Sequence, residues 1–254
     1  MTTERLKGLI LPVSAVLCLE LWLRLAPIAS DVLAPPSAAV LALVAGLLDG
    51  SVLKATGETL AGAMIGLVIG SSIGLAIGVL FGLLPRLDRL MEVTVESIRP
   101  IPSVALLPIA LMVFGFGYAM EFSIVAKTCL FATLIMTRAA VRGIEPRLFE
   151  VARALRLSPI ARVTKIALPA ALPQIFVAFR LAASAALIVA VTVEITINPQ
   201  GLGYAMMTAQ QALRPDVMLS YLLWIGIVGF AWNEALLFAQ RRFFGRAAIT
   251  EPMR

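Results

Sequence analysis

Two ionisable side chains lie inside long apolar stretches of the sequence and are the first candidates for chemistry. Lys127 lies within residues 122–137, and Glu194 lies near the end of residues 174–197, beside Thr192. A charge in such a stretch is costly unless it is paired, hydrated or bound to a ligand. Lys127 could therefore reach a membrane interface, pair with Glu194 or meet an anionic solute, and the sequence leaves these three interpretations open.

Motifs for catalysis and nucleotide binding do not occur in the sequence. It contains no His, and its two Cys residues, Cys18 and Cys129, have no metal-ligand spacing. The phosphate-binding pattern G-x-x-x-x-G-K-[ST] is also missing. We therefore expect a protein that is not an enzyme and that holds no metal or cofactor of its own.

The composition indicates a membrane protein. The 254 residues are 60% hydrophobic and 14% charged, whereas about a quarter of the residues of a soluble domain are charged. About 20 apolar residues make a helix that crosses a bilayer, and these apolar runs do not alternate as barrel strands do. The sequence predicts a single all-α transmembrane domain over residues 1–254 with six spans. The spans cover about residues 9–25, 60–84, 104–120, 122–137, 174–197 and 217–239.

Most of the 21 Lys and Arg residues fall on one side of this predicted bundle. They cluster near both termini, just before the third span, and between Arg138 and Arg180. Cytoplasmic loops are enriched in Lys and Arg, which places both termini and this central segment in the cytoplasm. The net charge of +6 then reflects topology and contact with membrane lipid rather than nucleic-acid binding.

The central cationic segment is predicted to contain a short amphipathic helix. Leu148, Ala152 and Leu155 recur at helical spacing, with Val151 alongside. The polar positions of this helix are Glu150, Arg153 and Arg156. From composition alone, such a helix either lies on the membrane surface or docks a soluble partner.

A second short helix is expected directly after the first. Ser158 offers an N-cap oxygen and Pro159 suits the first helical position. The pattern predicts that this helix continues to Leu168, before Pro169 ends it.

Glycine recurs at every fourth residue along the second predicted span. Small residues at this spacing let helix backbones approach closely. We expect a neighbouring helix to cross this ridge tightly, and we favour packing inside the chain over packing against a second copy. The ridge comprises Gly62, Gly66, Gly70, Gly74, Gly78 and Gly82.

The third predicted span begins with a cluster of prolines. Pro100, Pro102 and Pro108 each remove a backbone donor and favour a kink. Such a kink is either a bend in packing or a place where irregular backbone borders a pathway.

Four segments of the sequence form a recognisable combination: E-V-A-R-A-L-R-L-S-P with I-A-L-P-A-A-L-P, S-I-R-P-I-P-S-V-A-L-L-P-I, V-R-G-I and G-L-G-Y. Together they resemble the permease subunits of ABC importers, in particular those for sulfonates, taurine, nitrate and related small molecules. The first segment resembles the EAA loop of that family. The resemblance covers most of the chain from about Pro35 onward and is specific as a combination.

The resemblance implies a subunit that forms the pathway for a small polar, anionic solute in the bacterial inner membrane. It implies a second permease copy, two ATP-binding subunits that hold ATP and Mg, and a solute-binding protein on the outer side. Residues of about 145–169 would be a coupling region in contact with the ATPase. The coupling residues would be Glu150, Ala152, Arg153, Leu155, Arg156 and Ser158. The pathway candidates are Lys127, Glu194, Thr192 and Pro108.

One position departs from the family pattern. Arg156 stands where the family usually has Gly. Because Arg resists a positive φ, we expect the bend between the two short helices to fall elsewhere, or the partner to carry a matching acid.

Two other functions would use the same features differently. A secondary transporter would work without a motor, and its usual mark is an inverted repeat. A docking subunit that transports nothing would need the cytoplasmic helix pair only to hold a partner. ATP-dependent uptake separates the three possibilities.

Overall fold

A computed structural model describes residues 2–25 and 33–244, with side chains for residues 14–25 and 33–242. The described residues form helices and turns and contain no strand. This agrees with the predicted all-α class. The helices are α1 (Thr2–Leu25), α2 (Pro36–Leu48), α3 (Ser51–Leu83), α4 (Pro85–Ile98), α5 (Leu107–Phe114), α6 (Tyr118–Arg142), α7 (Pro146–Ala154), α8 (Pro159–Arg162), α9 (Leu168–Thr196), α10 (Gly201–Gln211) and α11 (Pro215–Phe244).

The predicted count of six membrane spans is not confirmed. Within the described residues, four helical segments are long and apolar enough to cross a bilayer, and a bent pair would make a fifth. The four segments are Ser51–Leu83, Tyr118–Arg142, Pro159–Gln211 and Pro215–Arg242. The expected first span, 9–25, lies partly outside the residues whose side chains are described.

The expected third span, 104–120, is not one continuous helix. A 3₁₀ turn, Ser103–Leu106, leads into the eight-residue α5, and α6 begins only at Tyr118. Helix α4 and the segment Ser103–Phe114 meet at an angle of 80°. Prolines remove backbone donors at the start of this segment, and Gly115 and Gly117 leave the helical region with φ of 70° and 116°.

The chain divides into two compact units. The first comprises Met1–Thr59 and Glu194–Val228, and the second comprises Leu60–Val193 and Gly229–Arg254. In the first unit, the carboxylate of Glu20 accepts from Arg24 and from the hydroxyl and backbone N–H of Ser37. These contacts join the end of α1 to the start of α2.

In the second unit, the glycine ridge of α3 lies against α6. A methyl group on Gly70 would lie 2.8 Å from the Cα of Ala126, and one on Gly66 would lie 2.6 Å from the Cβ of Val125. Atoms of α6 also occupy the space that a Cβ would need at Gly62, Gly74, Gly78 and Gly82. Only residues without a Cβ permit this approach. The ridge therefore serves helix packing inside one chain.

Two apolar clusters hold the second unit together. One joins α3, α6 and α9 around Leu67, Val125 and Ala186, and Trp232 of α11 packs against it. Trp232 also donates to the Ala183 carbonyl at 3.0 Å. The other cluster joins the end of α6 to the start of α9, and Phe149 of α7 packs against it. Phe149 thereby anchors the predicted coupling helix to the bundle.

Candidate functional site

Helix α7 has an inner and an outer face. Its Ala152 is fully buried, and Phe149 packs on the apolar cluster beneath it. On the outer face, Val151 and Leu155 are 51% and 65% exposed, and Ile160 of α8 is 76% exposed. The charged residues Glu150 and Arg153 are also exposed. Ala152 thus packs against the bundle, whereas Val151, Leu155 and Ile160 form an exposed apolar surface flanked by charges.

The bend between α7 and α8 falls at Arg156, contrary to the expectation from its side chain. Arg156 adopts φ of 48°. Its N–H donates to the Arg153 carbonyl at 3.0 Å, and the N–H of Leu157 donates to the Ala152 carbonyl at 3.0 Å. These two bonds make a Schellman motif, which satisfies carbonyls at the end of α7. They stabilise a conformation that an L residue with a Cβ disfavours by about 1–2 kcal/mol.

The start of α8 is as predicted, but its end is not. The Ser158 hydroxyl accepts the Ala161 N–H at 3.2 Å, and Pro159 occupies the first turn. Pro169 does not end the helical run, because a π-helical turn at Val163–Ala167 leads directly into α9. Pro169 then lies in the first turn of α9, where a missing N–H is tolerated.

Lys127 lies deeper in its helix than the predicted span of residues 122–137 would place it. Because α6 begins at Tyr118, Lys127 is about 14 Å along the helix from that end, at 1.5 Å per residue. Its ammonium donates to the carbonyl of Ile101, at the break before the 3₁₀ turn, and lies 5.8 Å from the ring centroid of Phe131. Next to it, Thr128 donates to the hydroxyl of Ser103 at 2.7 Å. Both contacts connect α6 to the broken segment.

Glu194 caps α10 within the first unit. Its carboxylate accepts the N–H of Gly203 at 2.8 Å and the hydroxyl of Thr59 at 3.0 Å. Thr59 in turn accepts the N–H of Leu202 at 2.9 Å, and Glu58 accepts the N–H of Gly201 at 2.9 Å. Acids are favourable at a helix N-terminus because the amides there carry partial positive charge. This arrangement accounts for the G-L-G-Y motif and gives Glu194 a structural role.

The other two pathway candidates are less distinctive. The Thr192 hydroxyl donates to the Ile188 carbonyl of its own helix at 2.7 Å. Pro108 is exposed and occupies the first turn of α5, where Pro is compatible with a helix.

Two buried acids of the second unit were missed in the sequence. Asp88 of α4 is 1% exposed and pairs with Arg138 and Arg142 near the end of α6. Glu121 of α6 is fully buried, and its carboxyl occupies the place where a side chain on Gly62 would lie. The signal for the first was available, because Asp88 and Glu92 share the four-residue spacing of Arg138 and Arg142. Matching spacings on two helices allow several ion pairs to form together.

The sequence matches one known family. The model of the family described as "Binding-protein-dependent transport system inner membrane component" matches residues 66–247. The putative aliphatic sulfonates transport permease protein SsuC of Bacillus subtilis is 29% identical over 237 residues, which cover 93% of this chain and 86% of the relative. The taurine transport system permease protein TauC of Escherichia coli is 26% identical over 198 residues, which cover 78% of this chain and 72% of the relative.

The fold also matches solved structures. An inward-facing structure of the MetNI methionine ABC transporter aligns with a TM-score of 0.68 at 22% identity. The alignment covers 75% of this chain and 95% of the solved chain. This likeness establishes a shared helical architecture.

Proposed function

Because the chain belongs to the family of binding-protein-dependent transport system inner membrane components, we propose that it pairs with a second copy to form the solute pathway of an importer driven by two ATP-binding subunits. The chain is an ABC importer permease with several apolar helices long enough to cross a membrane. ATP and Mg are held by the ATP-binding subunits, and a solute-binding protein delivers solute on the outer side. Both termini lie in the cytoplasm.

The observation that carries this proposal is the two-faced structure of α7 and α8. A helix that is anchored by Phe149 while it exposes Val151, Leu155 and Ile160 has an apolar face without a partner inside the described chain. Exposed Glu150 and Arg153 flank this face and would fix the register of a docked subunit. The helix pair therefore suits the cleft of an ATPase better than a purely structural loop.

The mechanism follows from this docking. ATP binding brings the two ATPase subunits together, and α7 and α8 move with them. Because α7 packs on the cluster that joins α6 to α9, its displacement shifts those two spanning helices as a unit. The pathway then alternates between its outer and inner openings.

The solute class is a small polar anion. Relatives are named for aliphatic sulfonates, taurine and bicarbonate, and the first two share a sulfonate group while the third is also an oxyanion. A membrane-embedded Lys127 is consistent with this class.

The test is co-purification of the chain with its proposed ATP-binding subunit, followed by ATP-dependent uptake of taurine and ethanesulfonate in proteoliposomes with the binding protein. Wild type should retain the ATPase, and Glu150→Ala/Arg153→Glu should lose it. Arg89→Glu is the matched control, because Arg89 is exposed on α4, and it should bind normally.

Each other outcome has a definite meaning. If no ATPase associates with wild type, the motor-coupled function is wrong. Uptake that continues without any ATPase would indicate a secondary transporter. An ATPase that binds without any solute movement would indicate a docking subunit.

A further inference from the structure

The break between α4 and the 3₁₀ turn Ser103–Leu106 is held by polar groups of α6. Lys127 donates to the carbonyl of Ile101, and Thr128 is hydrogen-bonded to Ser103 at 2.7 Å. The side chains of Lys127 and Thr128 from α6 and of Ser103 therefore meet within two residues of this break. In membrane proteins, irregular backbone occurs where it is buried in protein or lines an aqueous cavity.

Within residues 14–25 and 33–242, no acid balances the charge of Lys127. Its contacts there are with the Ile101 carbonyl and the face of Phe131, and no carboxylate forms an ion pair with it. An ammonium has three N–H donors, and the Ile101 carbonyl takes one of them. A cation placed about 14 Å along a spanning helix is costly unless an anion or water completes its environment.

We propose that Lys127, Ser103 and Thr128 form an oxyanion subsite in the solute pathway, with the Ile101 carbonyl as the group that orients the ammonium. The subsite rests on the proposed import function. Remaining ammonium donors bind one solute oxygen. The hydroxyl of Ser103, which accepts the O–H of Thr128 and is oriented by it, donates to another oxygen of a sulfonate or similar group. Charge-assisted hydrogen bonds of this kind are roughly twice as strong as neutral ones. The face of Phe131 stabilises the ammonium between solutes.

The subsite can be tested without knowing the natural solute. A Cys18→Ala parent keeps only Cys129, whose side chain is fully buried, and Ser103→Cys is introduced into it. The assembled transporter is treated with methanethiosulfonate reagents that carry either a sulfonate or a trimethylammonium group. We expect the introduced thiol to react in at least one nucleotide state. The ratio of the anionic to the cationic reaction rate should be about tenfold higher when Lys127 is present than in the variant that also carries Lys127→Met.

Protection supplies a second readout. Ethanesulfonate should slow the reaction of the thiol introduced by Ser103→Cys, and Lys127→Met should abolish this protection while Lys127→Arg retains part of it. Val125→Cys, on the same helix as Lys127 but fully buried under Gly66, is the negative control and should not react.

Two results would overturn the subsite. One is a Ser103→Cys variant whose introduced thiol reacts in no nucleotide state, and the other is a ratio of anionic to cationic rates that does not depend on Lys127. Both differ from a failure of the import function, because ATPase co-purification and ATP-driven uptake are measured on the Cys18→Ala parent, in which Ser103 and Lys127 are unchanged. A transporter that assembles and imports solute while the introduced thiol is unreactive would leave the import function standing without this subsite.

Discussion

Arg138 and Asp88 are 50 residues apart in the sequence, yet the Nε of Arg138 lies 2.7 Å from the Oδ1 of Asp88. A second oxygen of Asp88 accepts from Nη2 of Arg138 at 2.8 Å, and Arg142 also pairs with this carboxylate. The side chains of Asp88 and Arg138 are 1% and 13% exposed. This ion pair network joins α4 to the end of α6, just before α7.

Removal of Asp88 should destabilise the chain. Asp88→Ala leaves Arg138 without its main partner in a largely buried position, and we expect a loss of about 3 kcal/mol in unfolding free energy. Chemical denaturation in mixed micelles measures it. Glu92→Ala is the matched control, because Glu92 is 52% exposed and 3.5 Å from Arg138, and it should cost less than about 1 kcal/mol. Equal effects of the two variants would contradict the assigned role of Asp88.

A side chain on the glycine ridge should separate α3 from α6. Gly70→Ala places a methyl group against the backbone of Ala126, and we expect a loss of about 1–3 kcal/mol. Gly57→Ala, on the same helix with no atom within 4 Å of the new methyl group, should instead stabilise by about 0.5–1 kcal/mol. The two variants should shift the denaturation midpoint in opposite directions. A Gly70→Ala variant with an unchanged midpoint would contradict the close packing.

Arg156→Gly should stabilise the turn between α7 and α8. Glycine adopts the positive φ of this position without the penalty of a Cβ, which is about 1 kcal/mol. Hydrogen exchange of the amides of α7 would report slower local opening. Arg156→Ala removes the charge but keeps the Cβ, so it should show no such gain. A gain in both variants would assign the effect to charge instead.

Truncation of the exposed α7 face should weaken ATPase binding without harming the fold. Leu155 is 65% exposed, and burial of a Leu side chain at an interface contributes about 1.5–3 kcal/mol. Leu155→Ala should therefore reduce the affinity for the ATPase subunit by roughly tenfold or more, as measured by titration in nanodiscs. Leu90→Ala on α4, where Leu90 is 76% exposed, should leave the affinity unchanged. An equal loss in both would indicate a general effect of exposed apolar area.

Substitution of Gly201 should lower the unfolding free energy by more than its positive φ alone would. Gly201 and Gly50 have φ of 85° and 81°, but only at Gly201 would a methyl group overlap the carboxyl of Glu194. Gly50→Ala should cost about 1 kcal/mol from backbone strain. Gly201→Ala should cost at least about 2 kcal/mol more, because it also displaces the cap of α10. The difference between the two denaturation midpoints measures the contribution of that cap.

Local features were predicted well from the sequence. The Ser158 cap, Pro159 in the first turn and the glycine ridge of α3 all depend on residues close together in the chain. Such features follow from spacing and from backbone sterics alone. The all-helical class followed from long apolar runs that do not alternate as barrel strands do.

Features that depend on distant contacts were not predicted. Composition alone made residues 104–120 a span, because an apolar window does not register the 3₁₀ turn that ends at Leu106 or the end of α5 at Gly115. The position of Glu194 in its helix was foreseen, but its role as a cap depends on Thr59, 135 residues earlier. Arg156 shows the same limit, since hydrogen bonds of the Schellman motif outweigh the intrinsic preference of its backbone.

The glycine ridge also bears on how this transporter tolerates sequence change. Contacts between the α3 glycines and α6 are made largely by backbone and Cβ atoms, so the crossing does not depend on the identity of most α3 side chains. In a saturation mutagenesis map, intolerance along α3 should be high at every fourth position and at buried core positions such as Leu67, and low at the exposed positions between them. The exposed residues between the glycines are then free to diverge, while the crossing of α3 and α6 keeps its geometry.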